Sequence, residues 1–195
     1  MNAGANCGIT ASYQATIPGL MKAGYSMAEA ERIIQQAVQL FMETRQEWLK
    51  TNPHAVVPLC LGACGPYGAY LADGSEYRGH YDVSDETLID FHTKRAQLLW
   101  ESGADLLLFE TEPSLNEALI EAEIAETMKA DYWISFSCKD GSHTCEGTPI
   151  ETCVEILSKD HPHLKMMGVN CTNPLYPRID HAHEKAHFPA HCRLS

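Results

Sequence analysis

GlyAlaAspLeuLeuLeuPheGluThr, residues 103 to 111, is the stretch on which the fold turns. Its apolar residues run together instead of alternating with polar ones, so it does not describe a strand with one face in water. It fits a strand covered on both faces. Directly after it, Ser114 and Glu117 have capping-box spacing, in which a hydroxyl at the N-cap and a glutamate three residues on pair otherwise orphaned amides. Leu115, Ala118, Leu119, Ala122 and Ala125 then recur at helical spacing and predict one buried face. A buried strand followed by a one-faced helix is the repeating unit of a parallel sheet.

The same unit recurs on both sides. Apolar runs at about 8–13, 56–64, 132–138 and 165–171 predict four more buried strands. Ser26 with Glu29 and Thr148 with Glu151 predict two more capping boxes, the latter with Pro149 at the first helical position, and a fourth helix is expected to begin at Ser84. A doubly wound nucleotide-binding sheet would carry GxGxxG after its first strand, and the sequence has none. A barrel is therefore the expected architecture, with its chemistry at the C-terminal strand ends. Those ends carry Ser12, Tyr13 and Gln14; Cys64, Gly65, Pro66 and Tyr67; Glu110 and Thr111; Cys138 and Lys139; and Asn170 and Cys171.

Composition narrows the function. The 195 residues are 45% apolar and 21% charged, as in ordinary globular proteins, and carry a formal net charge of −12. That balance opposes a nucleic-acid partner, which needs a clustered basic surface, and points to small-molecule substrates. No run approaches the roughly 20 apolar residues of a membrane-spanning helix, nor does a secretory leader open the chain, so a cytoplasmic location is expected. Eight cysteines, several inside apolar runs such as ValValProLeuCysLeu, are expected to be reduced thiols. Neither GxSxG, a P-loop nor HExxH is present.

Three features invite chemistry. The segment from Gly65 to Gly79 is long and rich in aromatic and acidic residues, fit either to hold a sulfonium by cation–π and Coulomb attraction or to pack on the rim. Glu110 closes an apolar run, so burial of its carboxylate calls for a cation, either a substrate amine or a neighbouring lysine or arginine. Cys171, at another strand end, can be a nucleophile, a metal ligand or an inert thiol, and one cysteine by itself makes no zinc site. Two further groupings, Cys138 with His143 and Cys145, and His181, His183, His187 and His191 with Cys192, have weaker metal spacing. The second lies in 177–195, a histidine-rich tail set apart from the domain spanning 1–176.

At these residues the chain resembles the homocysteine S-methyltransferase family, especially the branch that uses S-methylmethionine. The resemblance is carried by IleThrAlaSerTyrGlnAlaThr (9 to 16), the Gly65 to Gly79 segment, GlyAlaAspLeuLeuLeuPheGluThr (103 to 111) and GlyValAsnCysThrAsnPro (168 to 174). It implies a (β/α)8 barrel in which three cysteines hold one zinc ion, Cys171 matching the first of them. The family's GlyGlyCysCys pair has no counterpart after Tyr176, and its opening strand, with an AspGly motif, would precede Met1. The chain is thus expected to supply strands two to six of an incomplete barrel.

By the same resemblance, Glu110 is expected to hold the homocysteine ammonium, with Tyr13 near the reacting groups. Asn170 and Tyr67 are expected to line the substrate site, the methyl donor being S-methylmethionine or S-adenosylmethionine. An open sheet of five strands would expose apolar edges, which predicts self-association, and one zinc cysteine of three predicts negligible turnover by this chain alone. The alternative is a noncatalytic zinc-binding or interaction module built from Cys171 and the tail.

Overall fold

In the computed structural model of the chain, residues 1–176 and the backbone of 193–194 are described. The decisive stretch forms strand β3 (Leu106–Glu112), and helix α5 (Leu115–Met128) follows it. Leu107, Leu108 and Phe109 are buried consecutively, as a strand covered on both faces requires. Leu107 alone, truncated to alanine, would cost about 2–5 kcal/mol.

Around β3 stand β1 (Cys7–Ile9), β2 (Leu59–Cys64), β4 (Tyr132–Phe136) and β5 (Leu164–Val169). All pair in parallel, and their spatial order follows their order in the chain. A doubly wound sheet reverses its order at a switch point, and none occurs here. Helices α1 (Ile17–Lys22), α2 (Met27–Thr51), α3 (Tyr67–Leu71), α4 (Asp85–Glu101) and α6 (Ile150–Leu157) lie in the connections, together with a 3-10 turn at Ser75–Tyr77. Arg193–Leu194 forms β6, a two-residue parallel strand opposite Met166 and Met167 of β5. The histidine-rich stretch lies outside the described residues.

Helix starts show how far local rules hold. Ser26 and Glu29 form the complete capping box of α2, and the Ser84 side chain caps α4 by accepting from Thr87 N. At α5 the box is half built. Ser114 accepts from the Glu117 amide, but the Glu117 carboxylate turns inward to His92, Tyr67 and Tyr81. At α6 the expected Thr148 cap is absent; Pro149 occupies the N-cap position without a side-chain bond, and Thr148 N donates to Thr144 Oγ1 instead. The Gly65 to Gly79 segment contains α3 and the 3-10 turn.

No helix among the described residues is long and apolar enough to cross a membrane. The seven described cysteines are free. Burial pushes the thiols of Cys60 and Cys64 up to about 11 and those of Cys138 and Cys153 to about 12, which holds them protonated at neutral pH. Cys171 is exposed.

Candidate active site

β3 ends in a bulge. Its pairing with β4 shifts between Glu110 and Glu112, which frees Thr111 to take a φ of 68°. A β-branched residue in the left-handed region is a genuine outlier and persists only where its surroundings hold it. Here Asn170, next after β5, holds it twice: Thr111 N donates to Asn170 Oδ1 at 3.0 Å, and Asn170 Nδ2 donates to Thr111 Oγ1 at 2.9 Å. Ser135 Oγ of β4 donates to the same Oδ1 at 3.1 Å, so one asparagine links the ends of three strands.

Cys171 follows with a φ of 49°. Its sulfur lies 3.7 Å from both Thr111 Oγ1 and Asn170 Nδ2, each placed to donate to it. The Tyr13 phenol reaches the Thr111 side chain, and burial, together with the acids Glu112 and Glu76, keeps that phenol protonated well above its ordinary range. Tyr77, half exposed on the 3-10 turn, reaches the Cys171 thiol. Three of the expected residues, Tyr13, Asn170 and Cys171, therefore converge through Thr111. Composition and spacing marked Thr111 only as a strand end, and Tyr77 only as one aromatic residue of the Gly65 to Gly79 segment.

Glu110 is half-buried, and desolvation alone raises its pKa. Of the two partners considered for it, the protein cation is absent among the described residues: no lysine, arginine or histidine forms an ion pair with it. A half-buried carboxylate without a protein cation is a candidate site for a cationic group of a ligand. Tyr67 sits elsewhere. Its ring packs against Tyr70 of the same segment and against Tyr81 and Phe91 outside it, at centroid distances of 4.9–5.7 Å.

Beneath the rim lies a buried polar cluster that periodicity did not reveal, because its members flank apolar stripes on α4 and α5. His92 Nε2 is 2.8 Å from Glu117 Oε1, and Arg95 Nη2 is 3.1 Å from His92 Nδ1. The arginine can only donate, so Nδ1 accepts and Nε2 carries the proton. Burial holds this imidazole neutral. Tyr67 N donates to Glu117 Oε1 at 2.6 Å, and Tyr81 Oη donates to Glu117 Oε2. Glu112 and Glu121 are fully buried beside them; burial first, then repulsion from Glu121 and Glu117 at Glu112 and from Glu117 at Glu121, raises both carboxyls well above the usual range.

A zinc ion needs three or four nitrogen, sulfur or oxygen ligands. Among the described residues no group of three His, Cys, Asp or Glu side chains is placed to hold a metal. Cys171 offers one ligand. Cys138 does not join His143 in a site: its thiol is buried against Thr172, and His143 pairs with Asp140 at 3.0 Å.

The parallel α/β architecture sets an exposed thiol just after β5 and a half-buried carboxylate near the end of β3, at the strand ends where enzymes of such folds gather their chemistry. The homocysteine S-methyltransferase family model matches residues 1–191, and the chain belongs to that family of methyltransferases. It is 45% identical over 174 residues to the homocysteine S-methyltransferase YbgG of Bacillus subtilis, covering 87% of this chain and 55% of that protein. Homocysteine S-methyltransferase 1 of Zea mays is 42% identical over 185 residues, covering 90% of this chain and 57% of that protein.

The crystal structure of the Escherichia coli homocysteine methyltransferase MmuM in its metallated form superposes with a TM-score of 0.90 at 38% identity, covering 99% of this chain and 67% of that one. Its oxidized form gives a TM-score of 0.84 at 43% identity, covering 87% and 58%. The chain spans about half the length of the curated relatives it matches.

Proposed function

We propose that the protein to which this chain belongs transfers a methyl group from S-methylmethionine or S-adenosylmethionine to the sulfur of L-homocysteine, giving methionine. The observation that carries the reading is a half-buried Glu110 without an ion pair among the described residues, near the end of β3 in a family fold that also sets Cys171 just after β5. In this reading β1 to β5 are five consecutive staves, strands two to six, of a (β/α)8 barrel, and 1–176 is its domain.

Glu110 receives the homocysteine ammonium. Thr111 and Asn170 orient the Cys171 sulfur by donating to it, Tyr13 lines the reacting end with a protonated phenol, and the segment around Tyr67 shapes the donor pocket. Cys171 contributes one thiolate to a zinc ion whose other ligands lie outside the described residues. Zinc, when bound, lowers the pKa of a coordinated thiol so that it is a nucleophile at neutral pH. With one such ligand in place, the chain alone is expected to turn over negligibly, to self-associate along its sheet edges, and to reside in the cytoplasm.

The lack of a three-ligand group among the described residues favours a second reading, a noncatalytic zinc-binding module of Cys171 with the histidine-rich 177–195 stretch. Zinc stoichiometry of the purified chain, repeated on Cys171→Ser and on a chain lacking 177–195, separates the two. Zinc kept without the tail and lost with Cys171→Ser rejects the module. Zinc kept in Cys171→Ser rejects the methyltransferase ligand assignment.

A further inference from the structure

Arg95 sits on α4 at 1% exposure. Its guanidinium reaches past its own helix to the neighbouring strand ends, where Nη2 donates to Gly65 O at 2.5 Å and Nη1 donates to Tyr13 O at 3.3 Å. The Tyr13 carbonyl also accepts from Gly65 N at 3.1 Å. Gly65 lets the chains meet this closely: a Cβ there would lie 2.6 Å from the Tyr13 ring and 2.8 Å from the Tyr13 carbonyl oxygen. The guanidinium also stacks over Phe91, its central carbon 5.1 Å from the ring centroid.

Filling this space needs no charge. A buried guanidinium costs several kcal/mol in desolvation unless its donors and charge are met, and a methionine of similar length would pack without that cost. What arginine adds is a rigid fork that can hold two carbonyls at once, which a lysine ammonium, as a point charge, does not reproduce. The fully buried Glu112 and Glu121 lie within electrostatic reach of the guanidinium. One of the two clamped residues is Tyr13, whose phenol ends against Thr111 beside Cys171.

We propose that Arg95 is a positioning residue, which by clamping the Tyr13 and Gly65 carbonyls from α4 sets the place of the Tyr13 phenol over the Thr111–Cys171 turn. Its importance for catalysis rests on the substrate-site reading given above, but its geometric content does not.

The test uses the whole chain labelled with 3-fluorotyrosine, the Tyr13 fluorine line being assigned by its loss in Tyr13→Phe. Arg95→Lys keeps the positive charge and removes the fork. Glu121→Gln alters the same buried cluster without touching either carbonyl. The proposal expects the Tyr13 line to shift and broaden in Arg95→Lys while the Tyr132 line stays in place, and expects no Tyr13 shift in Glu121→Gln. A Tyr13 line unmoved in Arg95→Lys, an equal shift of all tyrosine lines, an equal Tyr13 shift in Glu121→Gln, or loss of the folded state in Arg95→Lys overturns it. The readout involves no homocysteine, so a failure of the substrate-site reading leaves this result standing.

Discussion

Thr111 and Asn170 exchange two hydrogen bonds across the ends of β3 and β5, amide to side-chain oxygen at 3.0 Å and side-chain nitrogen to hydroxyl at 2.9 Å. The exchange holds a β-branched residue at a φ of 68°, a conformation with a real energetic cost. Asn170→Ala removes both bonds and leaves a buried amide unpaired, at a cost of about 1–3 kcal/mol. Urea unfolding of the two chains measures it, and an unchanged midpoint with an unchanged slope would remove the clasp from the account.

Gly65 has room for nothing larger. In Gly65→Ala the new methyl meets the Tyr13 ring and backbone oxygen, and the backbone oxygen cannot swing aside. Overpacking of this kind costs about 1–3 kcal/mol. Thermal unfolding should show the loss, and a midpoint equal to that of the unsubstituted chain would contradict the close approach of β1 and β2.

The described thiols separate by accessibility. Cys7 and Cys171 are exposed and Cys145 is half-buried, while Cys60, Cys64, Cys138 and Cys153 are buried with raised pKa values. Brief alkylation of the native chain at neutral pH, read by peptide mass spectrometry, should modify Cys7 and Cys171 at least tenfold faster than any of the four buried cysteines. Comparable labelling of Cys64 and Cys171 would mean that the core is not packed as described.

The buried acids give stability a direction in pH. Glu112 and Glu121 have folded pKa values raised above 4.5, so the folded chain binds protons more tightly than the unfolded one. Their contribution is fully present below about pH 4.5 and is lost as pH rises through the raised values. Glu121→Gln removes one titrating group and should flatten this decline. Denaturant midpoints taken from pH 5 upward test the sign, and a steeper decline in Glu121→Gln would reverse it.

Where local and tertiary demands agree, the sequence was a good guide. The run at 103–111 became β3, and Ser26 with Glu29 became a complete cap, because both depend on neighbours in the chain. Glu117 marks the limit. Its spacing from Ser114 satisfies the capping rule, yet its carboxylate serves His92, Tyr67 and Tyr81, partners 25, 50 and 36 residues away. No local pattern encodes such partners. Tyr13, Asn170 and Cys171 were legible as strand ends, but their joint dependence on Thr111 follows from a bulge that periodicity does not show. Short helices such as α1, capped by Thr16, lack the length to establish a stripe.

Under the proposed function, Glu110 receives the ammonium of homocysteine. Equilibrium binding of L-homocysteine to the chain, with zinc present, tests it most directly when Glu110→Gln is measured alongside across pH. A charge-assisted hydrogen bond contributes about 1.5–3 kcal/mol, so Glu110→Gln should weaken binding by about ten- to a hundredfold near neutral pH. Because burial raises the Glu110 pKa, binding to the unsubstituted chain should weaken on acidification sooner than an ordinary carboxylate would allow, and Glu110→Gln should lack that limb. Absence of homocysteine binding, or equal affinities with the same acid limb in both chains, would contradict the claim.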